Sequence, residues 1–73
     1  MNRLKELRIK NNLTLDDIEA KTGIKRGTYS NYENNKTEPK IETWQKLASF
    51  FKEPISYVMG VDDYEKVGVV KNE

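Results

Sequence analysis

Residues 13–36, LTLDDIEAKTGIKRGTYSNYENNK, predict two short helices joined by a tight glycine turn. Thr14 and Asp17 resemble a capping box at the start of the first helix, in which each side chain satisfies a free backbone N–H. Gly23 is expected to end this helix, because glycine adopts left-handed backbone conformations without steric cost. One face of the helix carries residues at helical spacing, namely Leu15, Ile18 and Thr22.

The second helix of the pair is predicted from about Arg26 to Asn34, after Ile24. Its inward positions are Tyr29, Tyr32 and Glu33. Its outward positions are Arg26, Gly27, Ser30 and Asn31. The outward face is therefore polar, and two helices in this arrangement are typical of a helix-turn-helix that presents its second helix to the edges of DNA bases.

The start of this second helix lacks the features that usually stabilise a helix N-terminus. Lys25 has no acceptor oxygen to cap it, and the cations of Lys25 and Arg26 lie near the positive end of the helix dipole. Gly27 in the first turn costs about 1 kcal/mol relative to alanine. A bound polyanion would offset the unfavourable positive charge. The absence of a side chain at Gly27 would let the wall of a DNA groove approach the helix closely. The alternative interpretation is a solvated basic turn with a tolerated glycine.

The rest of the chain predicts three more helices around one core. An amphipathic first helix over residues 2–11 carries an inward stripe formed by Leu4, Leu7 and Asn11. After Pro39, a fourth helix repeats core residues at steps of three and four, which are Ile41, Trp44, Leu47, Ala48 and Phe51. Pro54 suits the first turn of a short fifth helix that contains Ile55, Val58 and Met59 and closes at Gly60. We therefore expect a compact all-α, five-helix domain with the helix-turn-helix at helices 2 and 3.

Composition sets limits on function. The net charge of +1 and pI of 7.9 are less basic than expected of a nucleic-acid-binding module. Residues 1–40, however, hold nine Lys or Arg against six Asp or Glu, a balance of +3, whereas residues 41–73 hold four against six, a balance of −2. The positive charge is concentrated in the half that contains the helix-turn-helix.

The chain carries no catalytic set of residues. It lacks histidine and cysteine, which removes the usual general base, the thiol nucleophile and most zinc or iron sites. Asp62 and Asp63 offer carboxylates for a metal, but an adjacent acidic pair after a helix end is usually solvated. We expect no enzyme activity, no cofactor, no metal and no small-molecule site. Without cysteine, signal peptide or long apolar run, a cytoplasmic protein that does not enter a membrane is expected.

Several landmarks in register resemble the lambda-repressor and Cro-like helix-turn-helix domains, also called the XRE type, of bacterial and phage regulators. The resemblance covers roughly residues 3–60. Its landmarks are the motif RLKELR over residues 3–8, the L-T-x-x-x-I start over residues 13–18, the Gly23-Ile24 turn, the stretch YENNK over residues 32–36, Pro39, and Leu47-Ala48.

The resemblance implies roles for particular residues. Base-reading positions correspond to Lys25, Arg26, Gly27, Thr28 and Asn31. Phosphate-binding positions correspond to Thr14, Tyr32, Asn34, Lys36 and Lys40. The family's structural ion pair corresponds to Arg8 and Glu33, which we expect to be buried. Arg26 is the leading candidate because a guanidinium donates two bonds to guanine, and Asn31 can pair with adenine in the same way. For Asn34 and Asn35, simple helix termination remains an equal alternative.

The chain also departs from the family pattern. Leu15 stands where a phosphate-binding glutamine is common, so Thr14 is expected to take over that contact. Glu19 and Thr22 replace an alanine and a leucine, which implies different packing between helices 2 and 3 or an outward-turned Glu19. Lys40 and Pro54 occupy the usual Ser/Thr caps of helices 4 and 5, and Lys40 can reach a phosphate instead.

The resemblance implies a sequence-specific repressor of phage, prophage or plasmid type that binds an inverted-repeat operator in double-stranded DNA as a homodimer. An antitoxin or a restriction-system controller of the same fold is an alternative, and so is a protein-interaction module that has lost DNA binding. We assign residues 1–60 to the DNA-binding domain and residues 61–73 to a C-terminal tail. Its valines suit either a linker or a β-prone arm that pairs with another chain.

Overall fold

The computed structural model describes residues 1–61, and within this range the chain forms five α-helices. They are Leu4–Lys10 (α1), Leu15–Thr22 (α2), Arg26–Glu33 (α3), Ile41–Phe51 (α4) and Ile55–Met59 (α5). The predicted all-α, five-helix architecture is confirmed, with no strand in the described part of the chain. The hypotheses about Asp62, Asp63 and the valine-rich tail lie outside the described residues. None of the five helices has the length and apolar character required to cross a membrane.

The boundaries of α2 follow from local chemistry. The hydroxyl oxygen of Thr14 accepts from the Asp17 N–H at 3.0 Å, and the Asp17 carboxylate accepts from the Thr14 N–H at 2.9 Å. The bond from the Thr14 N–H, and to a smaller extent the Thr14 side chain, lower the pKa of Asp17, because they stabilise its charged carboxylate. Gly23 ends the helix at a φ of 81°, in the left-handed region. The predicted capping box and glycine stop are both confirmed.

The core lies where all five helices meet. Its buried side chains are Leu4, Leu7, Ile18, Tyr29, Trp44, Leu47, Ala48, Phe51, Tyr57 and Val58. The helix α4 contributes the largest share, as its periodicity predicts. Tyr57 was not anticipated from the sequence. The guanidinium of Arg3 lies 4.2 Å from the centre of its ring and also donates to its backbone carbonyl.

Three positional predictions are wrong. Ile41 is 57% exposed, because it occupies the first position of α4, one turn before the first buried residue of that helix, Trp44. Asn11 is exposed, since it caps the end of α1, where its amide donates to the Leu7 carbonyl at 2.7 Å. Pro54 is the N-cap of α5, the position that the family resemblance implies, and not a residue of its first turn as the helix pattern predicts.

Tyr29 connects the helix-turn-helix to the first helix. Its side chain is fully buried, and its hydroxyl donates to the Leu4 carbonyl at 2.9 Å. Burial raises the pKa of Tyr29, and the nearby Glu33 carboxylate raises it further. The neutral phenol is therefore the form that the native state requires.

This burial predicts a loss of stability at alkaline pH. The unfolded chain ionises Tyr29 near pH 10 whereas the native protein resists ionisation, so the contribution is present below about pH 10 and is lost as pH rises. We expect the free energy of unfolding to fall above about pH 10, and to fall less steeply in Tyr29→Phe. Urea denaturation at a series of pH values measures both slopes. Parallel pH profiles for the two proteins would contradict this prediction.

Candidate nucleic-acid interface

The turn between α2 and α3 is held by a buried threonine. The Thr22 hydroxyl donates to the Ile18 carbonyl at 2.7 Å and accepts from the Ile24 N–H at 3.1 Å. These two bonds satisfy the hydroxyl, so Thr22 replaces the usual leucine without an unpaired buried polar group. The side chain of Ile24 then packs against the core. The turn is thereby fixed by both a polar and an apolar contact.

The first turn of α3 receives a cap from α2. Lys25 is its N-cap residue and makes no side-chain cap bond, as its chemistry predicts. The half-buried Glu19 instead accepts from the Arg26 N–H through Oε1 at 3.0 Å. Glu19 therefore turns toward the start of α3, where a carboxylate also complements the positive end of the helix. Glu19 therefore supplies, from within the chain, part of the negative charge that the sequence predicts from a bound polyanion.

The side chain of Arg26 also meets a carboxylate of α2. Its Nη1 lies 2.9 Å from Oδ1 of Asp16, while the two side chains remain 65% and 73% exposed. An ion pair with this exposure contributes about 0–1 kcal/mol to stability. The pair is thus too weak to fix the fold, and it leaves Arg26 on the surface.

The predicted base-reading residues share one exposed surface. Lys25, Arg26, Gly27, Thr28 and Asn31 are all exposed at the start and along the outer side of α3. Ser30, also predicted to point outward, is half-buried. A Cβ atom built on Gly27 would meet no neighbouring atom within 4 Å. The surface of α3 around Gly27 is therefore open.

A shallow groove runs beside this surface, between the starts of α2 and α3. Its volume is about 560 Å³. It is lined by Arg8, Leu13, Thr14, Leu15, Asp16, Arg26, Gly27 and Ser30. Leu15, which replaces the family's glutamine, is half-buried and packs against the core. Position 15 therefore contributes an apolar wall to the groove.

The candidate phosphate-binding residues lie at the start of α2, in the last turn of α3, and between α3 and α4. Thr14, Asn34, Lys36 and Lys40 are exposed, whereas Tyr32 is half-buried and packs against the core. Asn34 caps the end of α3, and its amide donates to the Ser30 carbonyl at 3.0 Å. Asn35 adopts a left-handed conformation with a φ of 59°. Both asparagines thus terminate the helix, and a phosphate contact by Asn34 remains a prediction.

Arg8 and Glu33 tie α1 to the end of α3. Arg8 donates through Nε to Glu33 Oε2 at 2.6 Å and through Nη2 to Oε1 at 3.3 Å. Its Nη1 donates to the Leu13 carbonyl at 3.1 Å. The two side chains are only 16% and 5% exposed. The guanidinium therefore joins α1, α3 and the segment before α2, and the carboxylate of Glu33 raises the pKa of Arg8.

Two carboxylates at this surface were missed as functional candidates in the sequence. Asp16 and Glu19 are ten and seven residues from Arg26, so their contacts depend on how α2 and α3 pack. Their spacing of three residues on α2 is the sequence feature that indicates a shared role, because it places both on one side of a helix. Residues 1–61 hold no group of three or more carboxylate, imidazole or thiol side chains able to hold a metal.

The helix-turn-helix family model matches residues 4–58, which include all five helices except the last residue of α5. The chain belongs to the XRE-type helix-turn-helix family. It is 33% identical to the cryptic phage CTXphi transcriptional repressor RstR of Vibrio cholerae, over 74% of this chain and 49% of RstR. No solved structure gives a significant match.

Two further relatives extend the similarity. The chain is 34% identical to the HTH-type transcriptional regulator ImmR of Bacillus subtilis, over 97% of this chain and 53% of ImmR. It is also 34% identical to the HTH-type regulator MJ0272 of Methanocaldococcus jannaschii, over 88% of this chain and 97% of that protein. The chain spans about half the length of RstR and ImmR.

Gly27 provides a test that separates stability from binding. Alanine at this position meets no atom within 4 Å, so Gly27→Ala should raise the free energy of unfolding by about 0.5–1 kcal/mol through helix propensity. If the wall of a DNA groove approaches α3 at Gly27, the added methyl group should weaken DNA binding at the same time. Denaturation and fluorescence anisotropy on a bound duplex measure the two effects. Unchanged or tighter DNA binding by Gly27→Ala would show that the wall of the DNA groove does not come close to this position.

Proposed function

We propose that this protein is a sequence-specific DNA-binding transcriptional regulator that inserts α3 into the major groove. The observation that carries the proposal is the exposed polar surface of α3, headed by Arg26, on a helix held in place by α2 and by the Arg8–Glu33 pair. Membership of the XRE-type helix-turn-helix family supports it. The positive balance of residues 1–40 favours a polyanionic partner.

In this proposal, the residues that contact DNA divide into two groups. Arg26 donates to O6 and N7 of a guanine, and Asn31 pairs with an adenine farther along the groove. Lys25, Gly27 and Thr28 complete the base-reading surface. The phosphate contacts come from Thr14, Tyr32, Asn34, Lys36 and Lys40, and they position the domain without reading sequence.

We further propose repression by a homodimer bound to an inverted repeat. RstR is named as a phage transcriptional repressor, which supports repression over activation. Two copies of one domain bind half-sites separated by about one helical turn, or 34–36 Å, because the symmetry of the DNA site mirrors that of the protein. Occupation of a promoter by such a dimer would exclude polymerase. A regulator of this kind would act in the cytoplasm or nucleoid.

Selection of bound sequences from a random duplex pool tests this proposal. We expect enrichment of an inverted repeat that contains a guanine in each half-site, and sedimentation of the complex with two protein chains per duplex. Recovery of a single asymmetric half-site with one chain would contradict the dimer. Failure to enrich any sequence would contradict sequence-specific recognition.

A further inference from the structure

We propose that Asp16 is a positioning residue that orients the Arg26 guanidinium for one base pair, while Glu19 fixes the backbone from which Arg26 extends. This inference rests on the proposed DNA-binding function and names a residue that determines its specificity. Asp16 and Glu19 lie three residues apart on α2, and both contact Arg26. One contact holds the backbone N–H, and the other holds the tip of the side chain.

The atoms used by Asp16 leave a reading edge on Arg26. A guanidinium carries five N–H donors in one plane, and the contact with Asp16 is made through Nη1 at 2.9 Å. The opposite edge, formed by Nη2 and Nε, keeps two parallel donors. This is the geometry that pairs with O6 and N7 of guanine. A guanidinium held on one side by a carboxylate therefore presents a single fork to the base.

The charge of Asp16 lowers the affinity for DNA, whereas its contact with Arg26 raises the specificity. Asp16 is 73% exposed beside the surface proposed to meet DNA, so its carboxylate repels phosphates whatever the base sequence. It lowers binding to all duplexes and sharpens discrimination at one base pair. Specificity obtained at the expense of general affinity is a known use of charge at interfaces. A residue that served only the fold would not produce these two opposite effects.

The test uses Asp16→Asn, which keeps the shape of the side chain and removes its charge. Glu6→Gln is the matched control, because it removes the same charge from an exposed position on α1. Affinities are measured for the selected duplex, for the duplex with the guanine replaced, and for a random duplex. We expect Asp16→Asn to bind the random duplex more tightly and to lose about two- to fivefold of its discrimination at the guanine, the range given by an exposed ion pair.

The dependence on Arg26 separates positioning from a general charge effect. In an Arg26→Ala background, Asp16→Asn should leave discrimination at that base pair unchanged, and Glu6→Gln should leave it unchanged in both backgrounds. Equal discrimination by the native protein and Asp16→Asn would overturn the proposal. So would a loss of discrimination that persists without Arg26.

A measurement without DNA distinguishes failure of the positioning role of Asp16 from failure of the proposed DNA-binding function. Nuclear magnetic relaxation of the Arg26 Nε–H group should show restricted motion in the native protein and faster motion in Asp16→Asn. Equal mobility in the two proteins would overturn the positioning role even if both bind DNA. If the group is restricted but no duplex is selected, the proposed function fails, and the assignment of Asp16 to base discrimination fails with it.

Discussion

Replacing Arg8 with alanine will lower the free energy of unfolding by up to about 3–5 kcal/mol, the cost of removing one partner from a fully buried ion pair. This figure is an upper limit, because the Arg8 side chain keeps 16% of its surface exposed. Glu33 is only 5% exposed and would lose both of its bonds to the guanidinium. The Leu13 carbonyl would lose its bond from Arg8 as well. Because small domains have a total stability of about 5–15 kcal/mol, the variant should be close to unfolding. Urea denaturation at neutral pH measures the change.

Arg26→Ala is the matched control, since it also removes an arginine from an arginine–carboxylate pair. That pair is 65% and 73% exposed, so its loss should change the free energy of unfolding by less than about 1 kcal/mol. The contrast isolates the effect of burial, because the residue removed is the same. Similar losses in the two variants would contradict a structural role for the Arg8–Glu33 pair.

The second large effect concerns sequence recognition. Arg26→Ala should lower discrimination between guanine and other bases at one position of each half-site by about five- to 150-fold, equivalent to about 1–3 kcal/mol. The reason is that two parallel hydrogen bonds to O6 and N7 are lost together. Competition binding with a panel of single-base variants of the selected duplex measures this change. The fold should remain intact, as denaturation can verify.

Lys36→Ala is the comparison for this prediction. Lys36 is exposed beyond the end of α3 and is proposed to contact a phosphate. Its removal should weaken binding to all sequences alike and reduce the magnitude of the salt slope by about 1. If Arg26→Ala also weakened all sequences equally, Arg26 would be a phosphate contact and the assignment of base reading to it would be wrong.

The predictable part of the fold is the part encoded by neighbouring residues. Thr14 and Asp17 are three residues apart, and Gly23 needs no distant partner to end a helix, so the boundaries of α2 follow from sequence. Apolar spacing likewise locates α4. The same spacing fails at Ile41, because periodicity identifies a face of a helix but does not tell where neighbouring helices stop covering it.

The site was predictable in outline only. The exposed surface headed by Arg26 follows from the pattern of residues 13–36, and the Arg8–Glu33 contact was expected from family resemblance. The two carboxylates that meet Arg26 were not anticipated as its partners, because Asp16 and Glu19 reach it across a helix packing angle that sequence does not specify. Glu19 was expected to disturb packing or turn outward, whereas it caps α3.

Salt titration of binding to a selected duplex tests the central claim most directly. If α3 lies in the major groove with Lys36 and Lys40 on phosphates, the logarithm of the association constant should fall linearly with the logarithm of salt concentration. These two lysines alone account for a slope of about −2 per chain, and further phosphate contacts make it steeper. Binding that does not change with salt, or absence of binding at low salt, would contradict the account.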